Sequence, residues 1–218
     1  MKEWNLYTDG SVTCGKGYEG ASDKIPCAWA AILQNADMPA EESVVFGAEL
    51  GSSHTGRIEL KAVLAGLRQT ESDSSVRIFC DNLTVLGALL HSMEEDVRLQ
   101  FIKALSPSTI RQSVETEFLQ GKTSIRPFHG MNGLLNMSKQ EGVILDELKD
   151  LVERRTVSLT RVADMKTQRG KNTFPVHERC HAIAKMARLQ LCKKLQINGY
   201  PTHYEPLVYP FGPHSVKE

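Results

Sequence analysis

Three acidic residues stand in three short hydrophobic frames: Leu6-Tyr7-Thr8-Asp9-Gly10-Ser11, Gly56-Arg57-Ile58-Glu59-Leu60-Lys61-Ala62 and Val76-Arg77-Ile78-Phe79-Cys80-Asp81-Asn82. The first and third read as strands running into an acid, the second as the opening turns of a helix. Taken singly, each acid has an ordinary local role. Asp9-Gly10 suits a turn, Glu59 complements a helix dipole, and Asp81 suits a helix N-cap. Taken together, strand ends and a helix start can converge on one point, and converging carboxylates need cations to offset their repulsion. The oxygen donors suit Mg²⁺ or Mn²⁺.

The pattern around these frames predicts a mixed α/β sheet. Lys2 to Thr8 places Trp4, Leu6 and Thr8 on one face with Tyr7 opposite, Cys27 to Gln34 is an apolar run, and Ser43 to Leu50 is rich in valine and phenylalanine. These read as three strands joined by hairpin-like turns. Arg57 to Gln69 has helical spacing, Val76 to Cys80 reads as a buried strand, and Leu83 to His91 as a short helix. Hairpins make antiparallel neighbours and a strand–helix–strand unit makes a parallel one. Between Glu94 and Gln140 the pattern weakens to a single helix at Ile110 to Leu119, so residues 94–140 read as an insertion between the fourth and fifth strands. Val143 to Arg154 then reads as an amphipathic helix, Thr156 to Ala163 as a strand, and Val176 to Leu195 as the last helix. The expected organisation is one domain over residues 1–199 and a proline- and aromatic-rich tail over 200–218, which can pack back on the core.

These frames and their order resemble the ribonuclease H family. The resemblance runs to about Ser92 and returns at His177-Glu178-Arg179-Cys180-His181-Ala182-Ile183-Ala184, which is similar to the family's Asn-Glu-Arg-x-Asp-x-x-Ala signature. It implies a ribonuclease H-like fold with a five-stranded mixed sheet and a site holding two Mg²⁺ or Mn²⁺ ions. The implied metal site comprises Asp9, Gly10, Glu59, Asp81 and His181, with Asp9 bridging the ions and Asp9, Glu59, Asp81 and His181 carrying the catalysis. His181 stands where the family commonly has Asp; some junction resolvases and Argonaute slicers of the wider superfamily resemble such an Asp-Glu-Asp-His set. A helix-face histidine beside three sufficient acids is the plainer alternative. A second departure lies in residues 164–172, where relatives place a Gly-His pair and this chain has no histidine from residue 164 until His177.

The implied activity is hydrolysis of the RNA strand of RNA–DNA hybrids, and the implied partner is that hybrid. Ser11, Thr55, Arg57 and Asn82 are the expected substrate contacts near the frames, since relatives read 2′-hydroxyls there. Lys166, Arg169 and Lys171 are suited to phosphate, as they are to a solvated surface. Net charge is zero, but acids predominate before Ser106, and arginines and lysines crowd the chain from Arg154 to Lys194. A basic wall beside an acidic site suits a phosphate backbone.

Two alternatives stay open. One is a nuclease of the same superfamily acting on DNA junctions or double-stranded RNA. The other is a non-catalytic module binding nucleic acid or a protein partner through 94–140 or the tail. The five scattered cysteines point to neither a disulfide framework nor a zinc site and fit a reducing cytoplasm. No apolar run approaches the roughly twenty residues of a membrane helix.

Overall fold

Leu6 and Tyr7 are neighbours on a strand, so their side chains leave opposite faces, yet both are buried. A strand with both faces buried must lie inside a layered structure. In the computed structural model, which describes residues 1–12, 25–51, 55–119, 139–162 and 174–195, that strand is β1 (Glu3–Val12), the middle of a five-stranded sheet. β2 (Ile25–Asn35) pairs with it antiparallel and β3 (Glu42–Gly51) pairs antiparallel with β2. On the other side β4 (Ser75–Cys80) and β5 (Thr156–Arg161) run parallel, giving the order β3-β2-β1-β4-β5. The mixed sheet expected from the element order is the observed one.

The helices are α1 (Thr55–Leu67), α2 (Leu83–Ser92), α3 (Glu95–Lys103), α4 (Ser108–Leu119), α5 (Lys139–Glu153) and α6 (Pro175–Lys194). On one face of the sheet, Leu6, Ile78 and Leu159 pack with Leu60 and Leu67 of α1, Leu86 and Leu89 of α2, and Leu148 of α5. On the other, Tyr7, Ile32 and Phe79 pack with Cys180, Ile183 and Ala184 of α6. Tyr7 and Phe79 stack with centroids 4.6 Å apart. Among the described residues no helix is long and apolar enough to cross a membrane.

The stretch after Glu94 is better built than its sequence pattern suggests. α3 and α4 send Phe101, Ile102, Ile110 and Val114 into the same core as Leu6. This part of the expected insertion is thus core structure, which narrows its use as a docking arm; residues 13–24, 120–138 and the tail lie outside the described residues. α1 starts and stops two residues earlier than its periodicity predicts. Beyond its last residue, the Thr70 hydroxyl donates to the Leu67 carbonyl at 2.8 Å.

α1 lies close on β1 because residue 66 has no side chain. A Cβ there would come within 2.2 Å of Leu6 Cδ1, and Leu6 is fully buried. Gly66→Ala is therefore expected to overpack this contact and cost about 1–3 kcal/mol. A lowered denaturant midpoint at unchanged m-value checks it.

Candidate metal centre

The sheet register brings the acids together. β1 and β4 are parallel with Tyr7 opposite Phe79, so Asp9 and Asp81 each follow that pair by two residues along adjacent strands. Glu59 enters from the second turn of α1, held by its buried neighbours Ile58 and Leu60. Asp9, Glu59 and Asp81 each offer a carboxylate oxygen, and these oxygens lie within 4.8 Å of one another. Asp9 and Glu59 are buried, and Asp81 lies toward solvent.

Two neighbours set the acids in place. The Gly10 N–H donates to Asp9 Oδ1 at 2.8 Å, and a Cβ at Gly10 would stand 3.0 Å from Glu59 Oε1. Glycine thus lets the Glu59 carboxylate close on β1. At the outer side, Arg161 Nε donates to the Asp81 carbonyl at 3.3 Å. Arg161 is a residue that the motif reading does not single out. The signal for it lies in strand pairing, since Cys80 faces Arg161 across the parallel β4–β5 ladder.

The donor set fits a divalent cation. Burial, then the charges of Asp9 and Asp81, hold the Glu59 carboxyl well above the ordinary Glu range, and Glu59 Oε2 is buried without a hydrogen-bond partner. A hard cation on oxygen ligands answers both the repulsion and the orphaned acceptor. A folded-state pKa raised above the unfolded value means the folded protein holds this proton more tightly. The stabilisation is fully present below the unfolded value, near 4.5, and is lost as pH rises through the elevated folded value. We expect the metal-free protein to lose thermal stability over that rise, with Mg²⁺ or Mn²⁺ restoring it at pH 8 and Glu59→Gln flattening both effects. Thermal melts with and without chelator at pH 5 and pH 8 measure this; a melting temperature indifferent to both cation and pH would exclude a metal role for the cluster.

His181, from α6, lies against Asp9, with Nδ1 2.5 Å from Oδ2. Its side chain is 60% exposed, and it stands outside the cluster of three acids. The hydrogen bond to Asp9 raises the His181 pKa, against the opposing effect of partial burial. Beneath it the buried Cys180 thiol donates to the Tyr7 and Ala30 carbonyls at 3.4 and 3.2 Å.

The other expected contacts divide. Ser11 is buried on β1, one residue past Gly10. Thr55 opens α1, and Arg57, half-buried, turns its Nε inward. Asn82 accepts the Thr84 N–H at 2.8 Å as the N-cap of α2, so its side-chain oxygen has a structural task. Lys166, Arg169 and Lys171 lie outside the described residues. Part of the expected basic wall is structural: Arg155 donates to the Thr70 hydroxyl and carbonyl at 2.7 Å and to the Leu151 carbonyl at 2.8 Å, and Arg179 pairs with Glu42. The described cysteines Cys27, Cys80, Cys180 and Cys192 are all buried.

No protein-family model and no curated protein matches the chain. Solved structures do. The chain is similar to the prototype foamy virus protease–reverse transcriptase, with 11% identity and a TM-score of 0.50 over 86% of this chain and 21% of that one. It is similar to LC9-RNase H1, described as a type 1 RNase H with the type 2 active-site motif, with 13% identity and a TM-score of 0.48 over 86% of this chain and 72% of that one. The N-terminal RNase H domain of rv2228c from Mycobacterium tuberculosis aligns at 13% identity and a TM-score of 0.42, over 89% of this chain and 99% of that one. The chain thus spans about a fifth of the reverse transcriptase. By its strand order, mixed pairing and flanking helices, the fold is ribonuclease H-like.

Proposed function

We propose that the chain, as one ribonuclease H-like domain over residues 1–199, is a divalent-metal-dependent endonuclease hydrolysing the RNA strand of RNA–DNA hybrids. The observation that carries this reading is the convergence of Asp9, Glu59 and Asp81. These acids, with His181 and with Gly10 beside them, are the residues that would hold two Mg²⁺ or Mn²⁺ ions. Divalent ions held by these residues would supply activation of a water and stabilisation of the oxygen that leaves the phosphodiester. The chain's own work is to hold its donors ready: Gly10 fixes Asp9, Ile58 and Leu60 anchor Glu59, and Arg161 holds the Asp81 backbone. Donors fixed before substrate arrives cost little reorganisation during reaction. No side-chain nucleophile is needed.

Ser11, Thr55, Arg57 and Asn82 border the acids in sequence and would meet the substrate nearest the cleaved bond. Lys166, Arg169 and Lys171 would hold its backbone. Neutralising all three is expected to weaken hybrid binding and lower the slope of log affinity against log salt by about 2–3. An unchanged slope in an anisotropy titration would return them to the solvated surface.

Cleavage of matched hybrid, duplex RNA, duplex DNA and branched DNA, each with Mg²⁺, Mn²⁺ or chelator, tests the reading. Metal-dependent cutting confined to the RNA strand of the hybrid is the expected result. Preference for branched DNA or duplex RNA would reassign the substrate, and binding without cleavage under either ion would leave a non-catalytic module.

A further inference from the structure

The outer strand of the sheet is apolar on a side left open to solvent. β3 has β2 as its only strand partner among the described residues, and its alternate residues Val44, Phe46 and Leu50 are 36%, 40% and 44% exposed. Ala48, between them, is exposed as well. Strand alternation puts these side chains on one face. It is the α6 side of the sheet, because Phe46 and Ala48 share a cavity of about 210 Å³ with Ala187, Gln190, Leu191 and Lys194 of α6. Long edge strands with an apolar face invite pairing with other chains, and folded proteins cover them with a helix or loop.

A matching cover lies in the chain itself. Residues 196–218 follow directly on α6, whose end, through Leu191 and Lys194, forms a wall of the cavity. Among them, Tyr204-Glu205-Pro206-Leu207-Val208-Tyr209-Pro210-Phe211 is apolar or aromatic almost throughout, with Glu205 its one charge. The intervening stretch of about nine residues spans up to roughly 30 Å when extended, comparable to the length of β3 at about 3.3 Å per residue. Tethering on a short linker sets a local concentration on the order of millimolar, which disfavours a second copy at ordinary protein concentration. The prolines restrict the undocked segment and so reduce the ordering cost of docking.

We propose that residues 204–211 dock along the α6-side face of β3, with aromatic side chains seated between Phe46 and Leu191. The segment thereby shields the sheet edge, and the face is an internal docking site independent of the metal centre.

Hydrogen exchange read by mass spectrometry on the full chain tests this, with wild type compared with Phe46→Ser and with a Tyr209→Ser/Phe211→Ser double variant. Protection within 204–211 is expected in wild type, and Phe46→Ser should speed exchange there by about tenfold or more. The double variant should reciprocally speed exchange in β3. Unchanged exchange in β1 and β4 confirms in each case that the fold persists, and the double variant keeps the test available if Phe46→Ser disturbs the sheet. Exchange of 204–211 at the unfolded-chain rate in wild type would overturn the proposal. So would β3 protection that rises with protein concentration and ignores the double variant, which would assign the face to a second copy.

Discussion

Asp9→Asn is expected to lower hybrid cleavage by more than about a hundredfold while leaving the fold and hybrid binding in place. The amide matches the carboxylate in size, and its oxygen can still accept the Gly10 N–H that now meets Asp9 Oδ1. Only the charge is lost, at the residue that both Glu59 and His181 face. The same substitution relieves the repulsion acting on Glu59, so the melting temperature at pH 8 should lose its response to Mn²⁺. Single-turnover cleavage paired with thermal melts separates these effects. Wild-type turnover in the purified variant would remove the cluster from catalysis.

A change in metal preference by about tenfold or more is expected for His181→Asp. A neutral imidazole favours Mn²⁺ over Mg²⁺ and leaves the site one negative charge short of a four-carboxylate version, so wild type should cut faster with Mn²⁺. The bond to Asp9 makes His181 hold its proton to higher pH than usual, and a protonated ring cannot ligate. Bound metal competes with that proton, so activity should fall as pH drops through the histidine range, about 6.5 unperturbed and lower with metal bound. In His181→Asp that acid limb should move toward the carboxylate range and the preference toward Mg²⁺. If rates with the two ions and the acid limb both stay as in wild type, the acids alone hold the ions.

The parts of this molecule legible in its sequence are those whose signal is local. Leu6 and Tyr7 declare a strand buried on both faces, and the acid in each frame needs only a few neighbours to be noticed. The core role of α3 and α4 is not local: Phe101, Ile102, Ile110 and Val114 reach the core of Leu6 through tertiary packing, and no clean helical stripe announces it. Asn82 shows the converse, since its polar side chain beside an acid reads as a substrate contact, while the turn into α2 recruits it as a cap. Arg161 depends on knowing that β5 lies beside β4. His181 stands out because it is in register with Glu178 and Arg179; its contact with Asp9 emerges only when α6 packs on β1.

That packing gives the centre an order of birth. The three acids all lie before residue 82, whereas the contact between Asp9 and His181 joins residues 172 positions apart. Closing so long a loop is entropically slow, and on a ribosome the early elements emerge first. The charge cluster can therefore exist on a nascent chain before its histidine and before α6 covers Tyr7, Ile32 and Phe79. A divalent ion captured at that stage would meet a half-made site and help hold β1, α1 and β4 in register, and so act as a folding aid.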